Sequence, residues 1–345
     1  MNRLELEIGQ QPQVLAGLLS QGWPQVSKIA VELQRRSPKH VLLAARGSSD
    51  NAGVYAKYLW GTANRLPVAL AAPSLYTYYG AAPRLSDTLV VGISQSGRSP
   101  DIVAVLSDAR TQGMPTLAIT NDVRSPLAAV ADWTIDLRAG EEQSVAATKT
   151  YTCELLAVAM LSVALAGDEA RRAQLEAVPE AVAQALSLDE VIRVRAERYR
   201  YVEHVSMIGR GYNYATALEA AIKLKELTYT ATTPYSTADF LHGPIASIGQ
   251  GSCVLMVAPS GVLDADMDAM ADALTQLGAE LVMISDRDAL LARAQLGLRL
   301  PQGIPEWLSP IAAVIPAQLL AYRLAVARGL DIDRPRGLHK VTETR

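Results

Sequence analysis

The sequence repeats itself at one nearly fixed interval, and that restricts the chain to a fold that can be built twice. Ala45-Arg46-Gly47 is echoed by Gly209-Arg210-Gly211. Val90-Val91-Gly92-Ile93-Ser94-Gln95-Ser96-Gly97 is echoed by Val254-Leu255-Met256-Val257-Ala258-Pro259-Ser260-Gly261. Thr111-Gln112 and Ile119 return as Thr275-Gln276 and Ile284. Gly211 follows Gly47 by 164 positions, Gly261 follows Gly97 by the same interval, and Ile284 follows Ile119 by 165. A glycine after a strand is common enough for one such match to be chance; three in register mark a duplication.

Each copy alternates short apolar runs with helical patterns. Val41 to Ala45 reads as a strand, followed by a small-residue turn and a helix from about Asn51 to Leu59. Thr88 to Ile93 reads as another, followed by a Ser/Gly loop and a helix over Asp101 to Thr111; Thr116 to Thr120 is a third strand. Alternation of this kind predicts parallel strands joined by crossover helices. The fold class is therefore α/β, with two tandem domains, each a doubly wound parallel sheet flanked by helices. The expected organisation is a lead-in helix over 1–24, a first domain over 25–166, a helical connector over 167–195, a second domain over 196–329 and a tail over 330–345.

Composition narrows the function. Half of the residues are hydrophobic, yet no apolar run approaches the ~18 residues of a membrane helix, so no membrane association is expected. The opening Met1-Asn2-Arg3-Leu4-Glu5 has no apolar export core and does not resemble a signal peptide. Cys153 and Cys253 each lie in an apolar stretch, as buried free thiols of a reducing, cytoplasmic compartment. A net charge of −3 offers nucleic acid no general attraction. GxxxxGK[ST] and GxGxxG loops are absent, so ATP and NAD lack their usual footprints. Function must reside in a site.

Ser94-Gln95-Ser96-Gly97-Arg98-Ser99-Pro100 is the strongest candidate. It follows a strand and precedes a helix, where backbone N–H groups and the positive end of the helix dipole face the space above the sheet. The serines and Gln95 add donors, Gly97 permits close approach, and Pro100 suits the first helical turn with Ser99 as its N-cap. Such a cradle suits a phosphomonoester, and the equivalent Ala258-Pro259-Ser260-Gly261 has lost most of its donors. Arg46-Gly47-Ser48-Ser49-Asp50-Asn51 is a second polar turn, equally readable as a helix-capping cluster or as a sugar contact through Ser48 and Ser49.

Five segments occur in order: Ser94-Gln95-Ser96-Gly97, Val145-Ala146-Ala147-Thr148-Lys149, Glu219-Ala220-Ala221-Ile222-Lys223-Leu224-Lys225-Glu226, Leu241-His242-Gly243-Pro244 and Asp331-Ile332-Asp333-Arg334-Pro335-Arg336. Together they resemble the isomerase half of glucosamine-6-phosphate synthases, within the sugar isomerase (SIS) domain family. The resemblance implies two SIS domains and a hexose 6-phosphate held by Ser94, Gln95, Ser96 and Ser99, with sugar contacts at Ser49 and Val145. A sugar-contacting serine of the family falls on Ala147. The resemblance further implies Glu226 as the base between C1 and C2, Lys223 beside it, His242 as the ring-opening residue and Lys340 as the tail lysine. It implies no cofactor and no metal, and a homodimer in which His242 reaches the neighbouring subunit. Taken alone, Glu219, Lys223, Lys225 and Glu226 describe an exposed helical ion-pair ladder. Position 98 is usually acidic in the synthases and is Arg98 here; His339 replaces a small residue.

The synthases carry a glutaminase domain with an N-terminal cysteine, which this sequence lacks, so the degradative direction is expected: glucosamine 6-phosphate and water to fructose 6-phosphate and ammonia. Alternatives are a galactosamine-6-phosphate deaminase, a fructosamine-6-phosphate deglycase, and, outside enzymes, a sugar-phosphate sensor.

Overall fold

The structure is a computed structural model that describes residues 2–340. The residues group into two compact units. The N-terminal unit comprises Gln13–Gln143 and Ala147–Glu176, joined by His339 and Lys340; the C-terminal unit comprises Ala177–Leu338, joined by residues 2–12 and Ser144–Ala146.

The N-terminal unit is built on β1 (His40–Ala44), β2 (Val68–Leu70), β3 (Thr88–Ile93), β4 (Thr116–Thr120) and β5 (Trp133–Asp136). All pair in parallel, in the order β2-β1-β3-β4-β5. β3 and β4 are buried along their whole length, as expected of strands covered on both faces. Val90, Ala118 and Ala44 pack against Ile102, Val105 and Leu106 of the helix Pro100–Thr111.

The C-terminal unit repeats this plan on β6 (His204–Gly209), β7 (Ala231–Ser236), β8 (Cys253–Val257), β9 (Glu280–Ser285) and β10 (Leu296–Arg299), ordered β10-β9-β8-β6-β7. Both sheets thus run second, first, third, fourth, fifth. The register repeats too: Val41 pairs with Leu89, and Val205 with Cys253, each 164 positions on. Pro234 lies in β7, an edge strand, where a missing N–H is tolerated. Phe240, Met256, Met267 and Leu274 are central in this unit's core.

The stretch after Ser144 is helical, as its composition suggests: Lys149–Ala166, Glu169–Leu175, Val178–Leu186 and Asp189–Arg195. The expectation about apolar runs needs correcting. Lys149–Ala166 and Glu306–Ala327 are long and apolar enough to cross a membrane, because one or two charged residues scarcely lower their mean hydropathy. Each is 83% buried inside the fold, which is what core helices do. Residues 341–345 of the expected tail lie outside the described residues.

Candidate active site

In a sheet of this order the chain leaves β1 towards one edge and β3 towards the other, and ligands bind where the direction switches. The loops after β1 and β3 meet there in the N-terminal unit, and they carry Ser48, Ser49 and Ser94–Ser99.

Gly97 shapes the second of these loops. Its φ is +62°, and a Cβ there would stand 2.1 Å from Ser125 Oγ, so only glycine fits. The loop hydroxyls are polarised by their partners. Ser94 Oγ accepts from Gly97 N–H at 3.1 Å and Ser96 Oγ accepts from Arg98 N–H at 3.3 Å, which leaves both O–H groups to donate outward. The Gln95 side-chain amide has no partner among the described residues. Ser99 sits at the N-cap with Pro100 at N1, but its hydroxyl makes no capping bond, contrary to expectation. Asp101 takes the Ile102 N–H instead, at 2.9 Å, so the Ser99 hydroxyl is not consumed by the helix.

The turn after β1 does not cap its helix either. Ser48–Ala63 begins after Gly47, at φ +56°, with no side-chain cap. Ser49 is buried and donates to the buried Glu154 carboxylate at 2.7 Å, so its oxygen can still accept a hydrogen bond. Arg46 is fixed at 2.8 Å by the fully buried Asp101. Burial pushes the Asp50 carboxyl up, with Arg46 countering.

Lys340 lies 2.7 Å from Glu142, a fully buried carboxylate. Glu142 also accepts from Thr148 N–H at 3.0 Å, Thr150 N–H at 3.1 Å and Thr150 Oγ1 at 2.7 Å. Burial alone would push the Glu142 carboxyl up, but Lys340 and these donors outweigh it and hold it below the ordinary range.

In the C-terminal unit, the helix Tyr214–Thr228 carries Lys223 between two carboxylates, 3.4 Å from Glu219 and 2.8 Å from Glu226. The exposed ladder is ruled out. The Lys223 and Glu219 side chains are 1% and 0% exposed, while Glu226 keeps 26% of its surface open. Only Lys225 faces solvent as a ladder residue would. His242 follows the short helix Thr237–Leu241 and is exposed, its imidazole without a partner among the described residues. Val145 is half-buried, and its neighbour Ser144 donates its N–H to Glu7 at 3.1 Å. The serine-loop residues and Lys340 thus belong to one unit; Lys223, Glu226, His242 and Val145 belong to the other.

The second copy of the serine loop is closed by the protein's own carboxylates. Ser260 gives its N–H and Oγ to Asp286, at 2.7 and 2.5 Å. Gly261 N–H bonds Asp264 at 2.9 Å and Val262 N–H bonds Glu306 at 3.0 Å. Glu306 presses so close that a Cβ on Gly261 would meet it at 2.2 Å.

Glu142 and Glu154 were not singled out from the sequence. Glu142 stands in a polar turn like any solvated acid, whereas Glu154, alone among apolar residues of a helix, was a readable signal. Both thiols are buried and free; burial pushes Cys253 up to about 12 and Cys153 well above its ordinary value. No three His, Cys, Asp or Glu side chains converge as metal ligands among the described residues.

A family model described as the SIS domain matches residues 36–164 and again 199–328. Glutamine–fructose-6-phosphate aminotransferase (isomerizing) of Thermococcus kodakarensis is 35% identical over 345 residues, covering 97% of this chain and 56% of that protein. The chain spans about half the length of the curated relatives it matches. Among solved structures, a candidate phosphosugar isomerase from Silicibacter pomeroyi DSS-3 superposes with a TM-score of 0.87 at 34% identity, covering 96% of this chain and 100% of that one. The C-terminal domain of glucosamine-fructose-6-phosphate aminotransferase from Francisella tularensis superposes with a TM-score of 0.88 at 28% identity, covering 97% and 98%.

Proposed function

We propose that this chain, which belongs to the SIS domain family and carries two copies of that domain, is a phosphosugar isomerase that works as a deaminase on glucosamine 6-phosphate. The observation that carries this reading is the triad on the helix Tyr214–Thr228. A buried ammonium is clamped between two carboxylates, of which only Glu226 remains open to a substrate. A structural ion pair has no need of an asymmetric opening; a base that must meet a carbon acid does.

The chemistry follows. Donors on Ser94, Ser96, Ser99 and Gln95 hold the phosphate; Ser49 accepts from a sugar hydroxyl and Val145 lines the sugar. His242 moves a proton from the C1 hydroxyl to the ring oxygen and opens the pyranose. Glu226 takes the proton from C2 and returns it to C1 while a proton passes from the 2-amino nitrogen to O1, which converts the 2-amino aldehyde to a 1-hydroxy C2 imine. Water adds to that imine and ammonia leaves, giving fructose 6-phosphate. Lys223 balances the charge of Glu226, and Lys340 donates an N–H to the open-chain carbonyl oxygen. Both thiols are buried and held protonated, so neither serves as a glutamine-hydrolysing nucleophile. The proposal includes a cytoplasmic homodimer.

The test is ammonia release from the 6-phosphates of glucosamine, galactosamine, N-acetylglucosamine and fructosamine. Release from glucosamine 6-phosphate with matching fructose 6-phosphate is expected, and silence on every substrate ends the proposal. Glu226→Gln should lower kcat at least about a hundredfold while binding persists; a sensor would bind and turn over nothing in either form.

A further inference from the structure

Arg98 and Asp122 have counterparts in the second repeat, and comparing the two copies separates what opens the serine loop from what closes it. At the interval of 164, Ser96 corresponds to Ser260, Asp122 to Asp286 and Arg98 to Val262. The strands that precede both aspartates, β4 and β9, occupy the same place in their sheets. The aspartates nevertheless do opposite things. Asp286 bonds both the N–H and the hydroxyl of Ser260 and so fills the place an anion would take. Asp122 has other partners: one oxygen accepts from Arg124 N–H at 3.0 Å, and the other pairs with the Arg98 guanidinium at 3.5 Å. Ser96 keeps its O–H for a ligand.

Among the positions that differ between the copies, the one whose side chain pairs with the aspartate is two places after the serine. Valine offers an aspartate nothing, so Asp286 turns to the nearest donors, those of Ser260. Arginine offers the aspartate a charged partner, 3.5 Å away. We infer that Arg98 is a positioning residue: it draws Asp122 off the loop and keeps the phosphate cradle open. The guanidinium need not touch the phosphate for this to hold. Its effect is to prevent a carboxylate of the same chain from taking up the donors meant for the ester. This inference rests on the reading of residues 94–99 as the phosphate site.

The test is a two-by-two set of variants in the full chain, with binding of inorganic phosphate and of glucosamine 6-phosphate followed by calorimetry and turnover by ammonia release. Arg98→Val should weaken both ligands about tenfold or more, through KM with kcat nearly unchanged, since the lost interaction acts on bound substrate and transition state alike. Asp122→Ala in the Arg98→Val background should recover affinity to within about twofold of Asp122→Ala alone, because no carboxylate is left to fold inward. Had Arg98 bound the phosphate directly, the double variant would stay as weak as Arg98→Val, and the inference would fall. It would fall equally if Arg98→Val bound phosphate as the parent does. Failure of the parent protein itself to bind inorganic phosphate or any hexose 6-phosphate would overturn the phosphate-site reading and take this inference with it. Matching melting temperatures across the set exclude misfolding as the source of a loss.

Discussion

Lys223 shows what one side chain contributes when it stands between two like charges. Glu219 is fully buried and Glu226 nearly three-quarters so, and only an ammonium between them makes that arrangement tolerable. Lys223→Met should destabilise the protein by about 3–5 kcal/mol, because breaking a buried ion pair leaves uncompensated charge. Glu219→Gln in the same background should restore part of the loss. Denaturant midpoints measure both, and a Lys223→Met protein as stable as its parent would contradict the account. Sequence spacing revealed that these residues share a helix face but not that the face is interior. An i, i+3, i+4 pattern of Glu and Lys is identical on a solvated helix; burial is decided by what packs against it, and sequence spacing carries no sign of that.

At the scale of elements, the strands were legible because runs such as Thr88–Ile93 are apolar throughout and punctuated by Gly and Ser. The duplicate confirmed each position through its shared interval. The caps were not legible. Ser99 and Ser48 stand where capping serines stand, but neither caps: in one case Asp101 takes the N–H, and in the other Gly47 precedes the helix at positive φ. The Ser99 hydroxyl, left out of the helix end, is available to a ligand. Gly97→Ala tests the loop as a unit. A Cβ at φ +62° against Ser125 distorts the backbone that presents the donors, so phosphate affinity should fall about tenfold or more, with a loss of stability of order 1–3 kcal/mol. Ser260→Ala, in the closed second copy, should leave phosphate binding as it was. Equal losses in both variants would mean that the second loop is not the silent one.

On the scale of the whole chain, each compact unit gathers segments that are far apart in sequence. Residues 2–12 belong to the C-terminal unit, through Glu5 with Arg323, Asn2 with Tyr322 and Gln11 with Gln318. Lys340 belongs to the N-terminal unit through Glu142. Nothing in the local sequence announces such pairings, which join residues some 200 to 320 positions apart. Because the folded-state Glu142 carboxyl is held below its ordinary value, the stability it contributes is full above an unfolded value of about 4.3 and is lost as pH falls through the lower folded one. Hydrogen exchange around Lys340, corrected for intrinsic rate, should therefore rise below about pH 4, and Glu142→Gln should loosen the same residues at pH 7. Exchange that ignores both changes would show the contact to be incidental.

The distance between Glu142 and Lys340 along the chain also sets an order of events during synthesis. Lys340 is made 198 residues after its partner, so at about 5–20 residues per second the ribosome leaves Glu142 without its counter-ion for roughly 10–40 s. Over that interval the carboxylate is better left in water than sealed in. The strands of the N-terminal sheet can assemble as soon as they are made, whereas the pocket around Glu142 has reason to stay wet until Lys340 has followed.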